Sequence, residues 1–337
     1  MTIFRAHGAN PEKLYRSAGM PMPASICDFS TNTNAVQWNG KIEADLNSLL
    51  GSYPDEDASA VRTLIAAQNN CSVDEVLVTN GSNESIYLLA SYQAAKENCI
   101  MQPAYGEYMT ALKSYGASIR SINSMEELSG GASTVWICNP CNPTGAYIDA
   151  PELEECINKF SDKLFILDEA YIDFMFMGQK RINFLNLKNV AVLRSLTKIY
   201  HLCGARIGYV LAGRRIISML KRRQPAWSVN SLAQLAAEAF LKDRDFPELT
   251  RKYYRREVPR LISGIRAAGY EVLPTTVNFF LVRVDDDMKF IKYLLARGMV
   301  VRHTRNFPGL DGRYVRIASR SPVENDRLVA AMKEYVM

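Results

Sequence analysis

Residues Thr134 to Gly145 read TVWICNPCNPTG, and residues Leu164 to Tyr171 read LFILDEAY. Each stretch opens with an apolar run of strand length and closes on polar residues. Runs without polar alternation suit strands buried on both faces, as in a parallel sheet covered by helices. Between the two runs, Asp149 stands as a helix-cap candidate, followed by Pro151 and Glu152. A missing N–H and a negative charge are tolerated or favoured in that first turn. The pair therefore reads as strand, helix, strand.

The same rhythm extends outward in both directions. Strand-like runs recur at Glu75 to Thr79, Asn98 to Met101, Val190 to Leu193 and Ile207 to Leu211, with helical patterns at Asp57 to Gln68 and from near Ser82. Six such runs predict an α/β fold, a large domain with a mainly parallel sheet flanked by helices. After Gly213 the pattern changes to longer helices, Ser228 to Leu241 and Pro247 to Ala268. Strand-like Phe279 to Val284, a helix near Asp287 to Arg297, short strands at Met299 to Arg302 and Tyr314 to Ile317, and a final helix from Pro322 complete a smaller α+β unit. With 337 residues, the expected division is an N-terminal arm (1–30) contributing to the small domain and the active site, a large domain (31–244) and a small C-terminal domain (245–337).

Composition narrows the function classes. Hydrophobic residues make up 48% and charged residues 22% of the chain, which excludes a disordered or fibrous chain. No apolar run approaches the ~20 residues needed to span a bilayer, and MTIFRAHGANPEKLYRSAG lacks a signal-peptide core, so a cytosolic protein without membrane contact is expected. The 40 basic and 35 acidic residues leave a net charge of +5. The basic clusters at Lys221 to Arg223 and Arg251 to Arg256 read as solvated helix faces, with no nucleic-acid motif beside them. The seven cysteines are scattered through apolar segments, as reduced thiols are. Cys138 and Cys141 form the one CxxC, but no second such pair accompanies it to make a zinc site.

Four segments place polar residues where predicted strands end, the edge at which α/β sheets bind ligands. They are TNGSNE (Thr79 to Glu84), NPCNPTG (Asn139 to Gly145), LDEAY (Leu167 to Tyr171) and SLTKIYHLCGAR (Ser195 to Arg206). Gly81 and Ser82 open a helix whose free N–H groups suit a phosphate. Ser195, Thr197 and Arg206 can share one phosphate and leave the Lys198 amine to react with a carbonyl. Asp168 ends an apolar strand, an expensive place for a carboxylate that has no partner.

Taken together and in this order, the segments resemble the class I and II aminotransferase superfamily of fold type I pyridoxal 5'-phosphate enzymes. The resemblance implies that Lys198 holds the cofactor's aldehyde, that Asp168 keeps its ring nitrogen protonated, and that Asn142 and Tyr171 bond its phenolic oxygen. It places Gly81, Ser82, Asn83, Ser195, Thr197 and Arg206 around the cofactor phosphate and stacks Tyr105 on the ring. It also implies a homodimer in which Tyr53 reaches the neighbouring subunit's cofactor phosphate. The CxxC then has a simpler meaning, because it is interleaved with NPxNPTG.

Two branches of this superfamily, both acting on phosphorylated substrates, share YPDED (Tyr53 to Asp57), GSNE, DEAYIDF and GARIGY: the histidinol-phosphate aminotransferases and the threonine-phosphate decarboxylases of cobalamin biosynthesis. HGAN (His7 to Asn10), DFSTNTN (Asp28 to Asn34), RQPAWSVNSLAQ (Arg223 to Gln234) and RNFPGLDGRYVRIASRSPVEN (Arg305 to Asn325) are more similar to the decarboxylases. The resemblance implies a small phosphorylated amino acid as substrate, with Arg302 and His7 at its phosphate and Arg316 and Asn32 at its carboxylate. O-Phosphoserine differs from O-phosphothreonine by one methyl, worth only ~1 to 3 kcal/mol in a fitted pocket. An aminotransferase would need 2-oxoglutarate, and a non-enzymic cofactor-binding regulator would not need Lys198, Asp168 and Arg316 together.

Overall fold

The computed structural model describes residues 10–128, 131–178, 181–183 and 187–336. His7 lies outside them. In chain order the strands are β1 (Cys27–Asp28), β2 (Val76–Thr79), β3 (Glu97–Met101), β4 (Ser118–Ile122), β5 (Thr134–Cys138), β6 (Leu164–Asp168), β7 (Val190–Ser195), β8 (Gly208–Ala212), β9 (Phe279–Arg283), β10 (Met299–Val300), β11 (Arg302–His303) and β12 (Tyr314–Ala318).

Seven strands form one sheet in the order β2-β8-β7-β6-β5-β3-β4. From β4 to β7 neighbours are parallel, while β8 runs antiparallel between β7 and β2. The sequence pattern showed six of these strands and missed β4. That strand, SIRSI, lies at the sheet edge with only Ile122 fully buried, so it carries no continuous apolar run. Central β5 and β8 are buried at every position.

Alternate residues of each strand feed different cores, as the period of two requires. Val135 and Ile137 join a core with the helices Ser59–Gln68, Ala150–Lys159 and Ser231–Lys242. Trp136 and Cys138 join one with the helices Gly81–Gln93, Glu107–Ser114 and Arg214–Lys221. The sheet is thus sandwiched between helical layers, the α/β architecture expected.

Two helix starts differ from expectation. Asp149 occupies the cap position before Ala150–Lys159, but its side chain makes no capping hydrogen bond. Ser231–Lys242 begins three residues after Ser228, because Asn230 is the true cap and its Oδ1 accepts from Ala233 N at 2.8 Å.

The C-terminal region builds an antiparallel sheet, β11-β12-β9, with the helices Phe246–Ala267, Asp287–Leu295 and Pro322–Val336. The N-terminal segment joins it: β1 pairs in parallel with β10, Cys27 opposite Met299 and Asp28 opposite Val300. Arg320 clamps the end of β1 and the residues after it. Its Nε donates to Asp28 O at 2.6 Å, Nη1 to Thr33 O at 3.2 Å, and Nη2 to Thr31 Oγ1 at 2.7 Å. These bonds lay residues 28–33 along the edge of the large sheet where its strands end. Among the described residues no helix is long and apolar enough to cross a membrane.

Candidate active site

The ends of β2, β5, β6 and β7 meet at one sheet edge, because Cys138 pairs with Asp168, Asp168 with Leu193, and both Thr79 and Ser195 with Gly208. Gly208 has to be glycine: a Cβ there would lie 2.7 Å from Ser82 N and 2.8 Å from Arg194 O. A cavity of about 480 Å³ opens at this edge. Asn32, Ser82, Asn83, Tyr105, Asn142, Asp168, Tyr171, Thr197, Lys198, Arg206, Arg302 and Arg316 all line it. Residues chosen from stretches scattered between Asn32 and Arg316 therefore converge on one space.

Gly81 and Ser195 stand directly behind that lining. Ser195 Oγ lies 2.7 Å from Thr197 Oγ1. Tyr53 does not enter this chain's cavity; it is 80% exposed, with its ring 4.7 Å from that of Trp227.

Asp168 forms the acidic wall. It is buried, and its pKa is raised by burial against the pull of hydrogen bonds from Tyr108 Oη at 2.5 Å and Ala170 N at 2.9 Å, and of the Lys198 charge. Tyr108 was not identified from the sequence. It sits in the helix Glu107–Ser114, packed between Trp136 at 5.7 Å and Tyr105 at 5.9 Å. The repeated aromatic in PAYGEY was the available signal.

Lys198 lies in a short turn of helix after β7, and its carbonyl accepts from Asn34 N at 3.0 Å. Its pKa is lowered, first by burial and then by the charges of Arg316 and Arg206, while Cys203 and Asp168 oppose the shift. A lysine shifted this way holds more of its amine free and nucleophilic near neutral pH. Beside it, Gly81 has φ +71°, and a Cβ on it would lie 2.6 Å from Arg206 Nη2. The glycine thus admits the guanidinium to the N-terminus of the helix Gly81–Gln93, where an anion is favoured by both groups.

The opposite wall is basic. Arg302 and Arg316 face each other across β11 and β12. Arg316 donates from Nη2 to Ser30 O at 2.8 Å and from Nη1 to Asn142 Oδ1, and its Nε is buried without a partner. Among the described residues no carboxylate pairs with it. Burial lowers the pKa of both arginines, and Arg316 adds to the effect on Arg302, which falls to about 9 and stays protonated at neutral pH. Asn32 donates to Tyr171 Oη at 3.3 Å, leaving its own Oδ1 buried and unpartnered. Burial raises Tyr171 to about 12, with Arg316 pulling the other way. Buried guanidinium and amide atoms left without partners mark places for ligand oxygens and N–H groups.

The CxxC cysteines are free thiols committed to local bonds: Cys138 Sγ donates to Pro140 O at 3.4 Å and Cys141 Sγ to Pro103 O at 3.2 Å. Burial raises the pKa of both. Among the described residues no cluster of three or more His, Cys, Asp or Glu side chains is placed to hold a metal.

These residues fit pyridoxal phosphate. A cationic pyridine ring matches the buried Asp168 carboxylate, an aldehyde matches the Lys198 amine, and a phosphate matches the Gly81 and Arg206 cradle at a helix N-terminus.

Comparison with known proteins agrees with that fit. The family model for aminotransferase class I and II matches residues 24–332. The threonine-phosphate decarboxylase of Salmonella typhimurium is 32% identical, over 100% of this chain and 98% of its own length. A histidinol-phosphate aminotransferase of Methanococcus aeolicus is 28% identical over 99% of this chain and 96% of its own. The crystal structure of L-threonine-O-3-phosphate decarboxylase from Porphyromonas gingivalis superposes with a TM-score of 0.80 at 28% identity, covering 92% of this chain and 99% of that one. The chain belongs to the class I and II aminotransferase family of pyridoxal-phosphate enzymes.

Proposed function

We propose that the protein decarboxylates O-phospho-L-threonine to 1-amino-2-propanol phosphate, the precursor used in building the cobalamin nucleotide loop. The observation that carries this reading is the basic wall: two buried arginines on paired strands face a cavity whose other wall bears Lys198 and Asp168. A ligand with a phosphate and a carboxylate answers both charges. Full-length similarity to the Salmonella decarboxylase supports the choice of branch.

In this reading Arg316, with Asn32, receives the substrate carboxylate. Arg302 receives its phosphate, together with His7, which lies outside the described residues. The cofactor, when bound, supplies a ring that accepts the electron pair left by departing carbon dioxide. Asp168 keeps a proton on the ring nitrogen by offering a charge where little water competes. Asn142 and Tyr171 would hold the ring's phenolic oxygen, and Tyr105 would lie against the ring. Lys198 Nζ, whose lowered pKa leaves it free to accept a proton from the incoming substrate ammonium, later gives that proton to the α carbon, so that hydrogen replaces the lost carboxylate. Excluding water from the site matters because each of these charges acts more strongly in a low dielectric.

The enzyme works as a homodimer in this proposal. Tyr53, exposed beside Trp227, would reach a second copy.

The test is an assay of purified, cofactor-loaded protein against O-phospho-L-threonine, O-phospho-L-serine and histidinol phosphate, following carbon dioxide and amine products. Carbon dioxide released from O-phospho-L-threonine without a keto acid is the expected result. Turnover of histidinol phosphate that strictly needs 2-oxoglutarate would move the protein to the aminotransferase branch.

A further inference from the structure

Arg302 does not stand in the cavity by itself; among the described residues His303, Asn306 and Phe307 hold its guanidinium. Nη1 lies 2.6 Å from His303 Nε2, Nη2 donates to Asn306 Oδ1 at 2.8 Å, and the Phe307 ring lies 5.9 Å from the guanidinium carbon. Asn306 and Phe307 reach the cavity wall, whereas His303 is absent from that lining and is 4% exposed. His303 therefore supports Arg302 from behind.

We propose that His303 is a positioning residue for the substrate's phosphate, acting through Arg302; this rests on the phosphorylated-substrate reading above. An arginine only donates hydrogen bonds, so the contact requires His303 Nε2 to be an acceptor and the imidazole to be neutral, with its proton on Nδ1. The neutrality has a consequence. A carboxylate in this position would hold the fork equally well but would cancel its charge and compete with the ligand anion. A neutral imidazole fixes the direction of the fork without itself cancelling the charge offered to the phosphate. Arg316, across the strand pair, gains from the same arrangement, because a fixed Arg302 cannot swing toward the carboxylate site.

The experiment measures apparent Kd for O-phospho-L-threonine, L-threonine and inorganic phosphate on the cofactor-loaded protein, by the change in cofactor absorption, together with KM and kcat. It compares His303→Leu, His303→Gln, His303→Glu and Arg302→Leu with the unmodified protein. His303→Leu should weaken phosphorylated ligands by about tenfold or more, the scale of one lost charged hydrogen bond, with the loss in KM and with cofactor affinity unchanged. Gln, which retains a neutral acceptor at similar reach, should restore most of the affinity. Glu should behave like Arg302→Leu.

Phosphate selectivity that survives both Leu and Glu unchanged overturns the inference alone. If the unmodified protein binds threonine as tightly as O-phospho-L-threonine, the substrate class fails and the inference fails with it. Should His303→Leu not fold, Gln and Glu still decide, since they differ in charge at equal length; equal phosphate affinity in those two contradicts a neutral-acceptor role.

Discussion

The two walls of the cavity solve opposite electrostatic problems. The sheet wall buries one carboxylate, Asp168, and satisfies it with a tyrosine hydroxyl and a backbone N–H. The small-sheet wall buries two guanidiniums, and Arg316 keeps an unpartnered Nε. Burying charge costs several kcal/mol, so a ligand group of opposite sign is favoured at each wall. In the proposed function a cationic ring answers the first, and a substrate with two anionic groups answers the second. That reading divides the labour: the sheet wall serves the cofactor and the small-sheet wall the substrate.

That division can be broken from either side. The largest effect is expected at the sheet wall. Asp168→Asn should still bind cofactor, because the phosphate cradle of Gly81 and Arg206 is untouched, but kcat should fall by about a hundredfold to a thousandfold. Cofactor titration and steady-state rates measure the two together, and near-normal rates would reduce Asp168 to a structural role. Next comes the small-sheet wall. Arg316→Leu should leave cofactor affinity unchanged and lower kcat/KM for the amino-acid substrate by about thirtyfold or more, the cost of removing a buried charged partner. Loss of cofactor binding in that variant would show that the walls are not separate in function.

The smallest effect sharpens the comparison by tuning one charge instead of deleting it. Tyr108 lowers the raised pKa of Asp168. Removing that hydroxyl in Tyr108→Phe leaves burial less opposed, so the carboxylate protonates at higher pH than before. The acid limb of the kcat profile should therefore move to higher pH, with about a tenfold loss of rate below neutrality. An unshifted limb would mean that Tyr108 does not set the state of Asp168.

The walls also differ in how legible they were in the sequence. The sheet wall is made of short, local motifs at strand ends, so TNGSNE, LDEAY and SLTK, each a weak signal alone, could be read together from their order along the chain. Its helper Tyr108 was missed because its partner lies 60 residues away. The small-sheet wall is non-local: Arg316 bonds Ser30, 286 residues earlier, and Arg320 holds Asp28 from 292 residues away. Arg302 and Arg316 were placed by family resemblance, and the support that His303, Asn306 and Arg320 give has no spacing rule that would announce it. Edge strand β4 escaped for a similar reason, since half-exposed polar residues hide a strand whose identity comes from its neighbour.

The most direct measurement is borohydride reduction of the cofactor-loaded protein, followed by peptide mass mapping. Lys198 should carry the cofactor, with loss of the yellow colour, because among the described residues it is the lysine that lines the cavity, near Asp168, Arg206 and Arg316. Reduction that fixes the cofactor on any other lysine would contradict the assignment of this cavity as the active site.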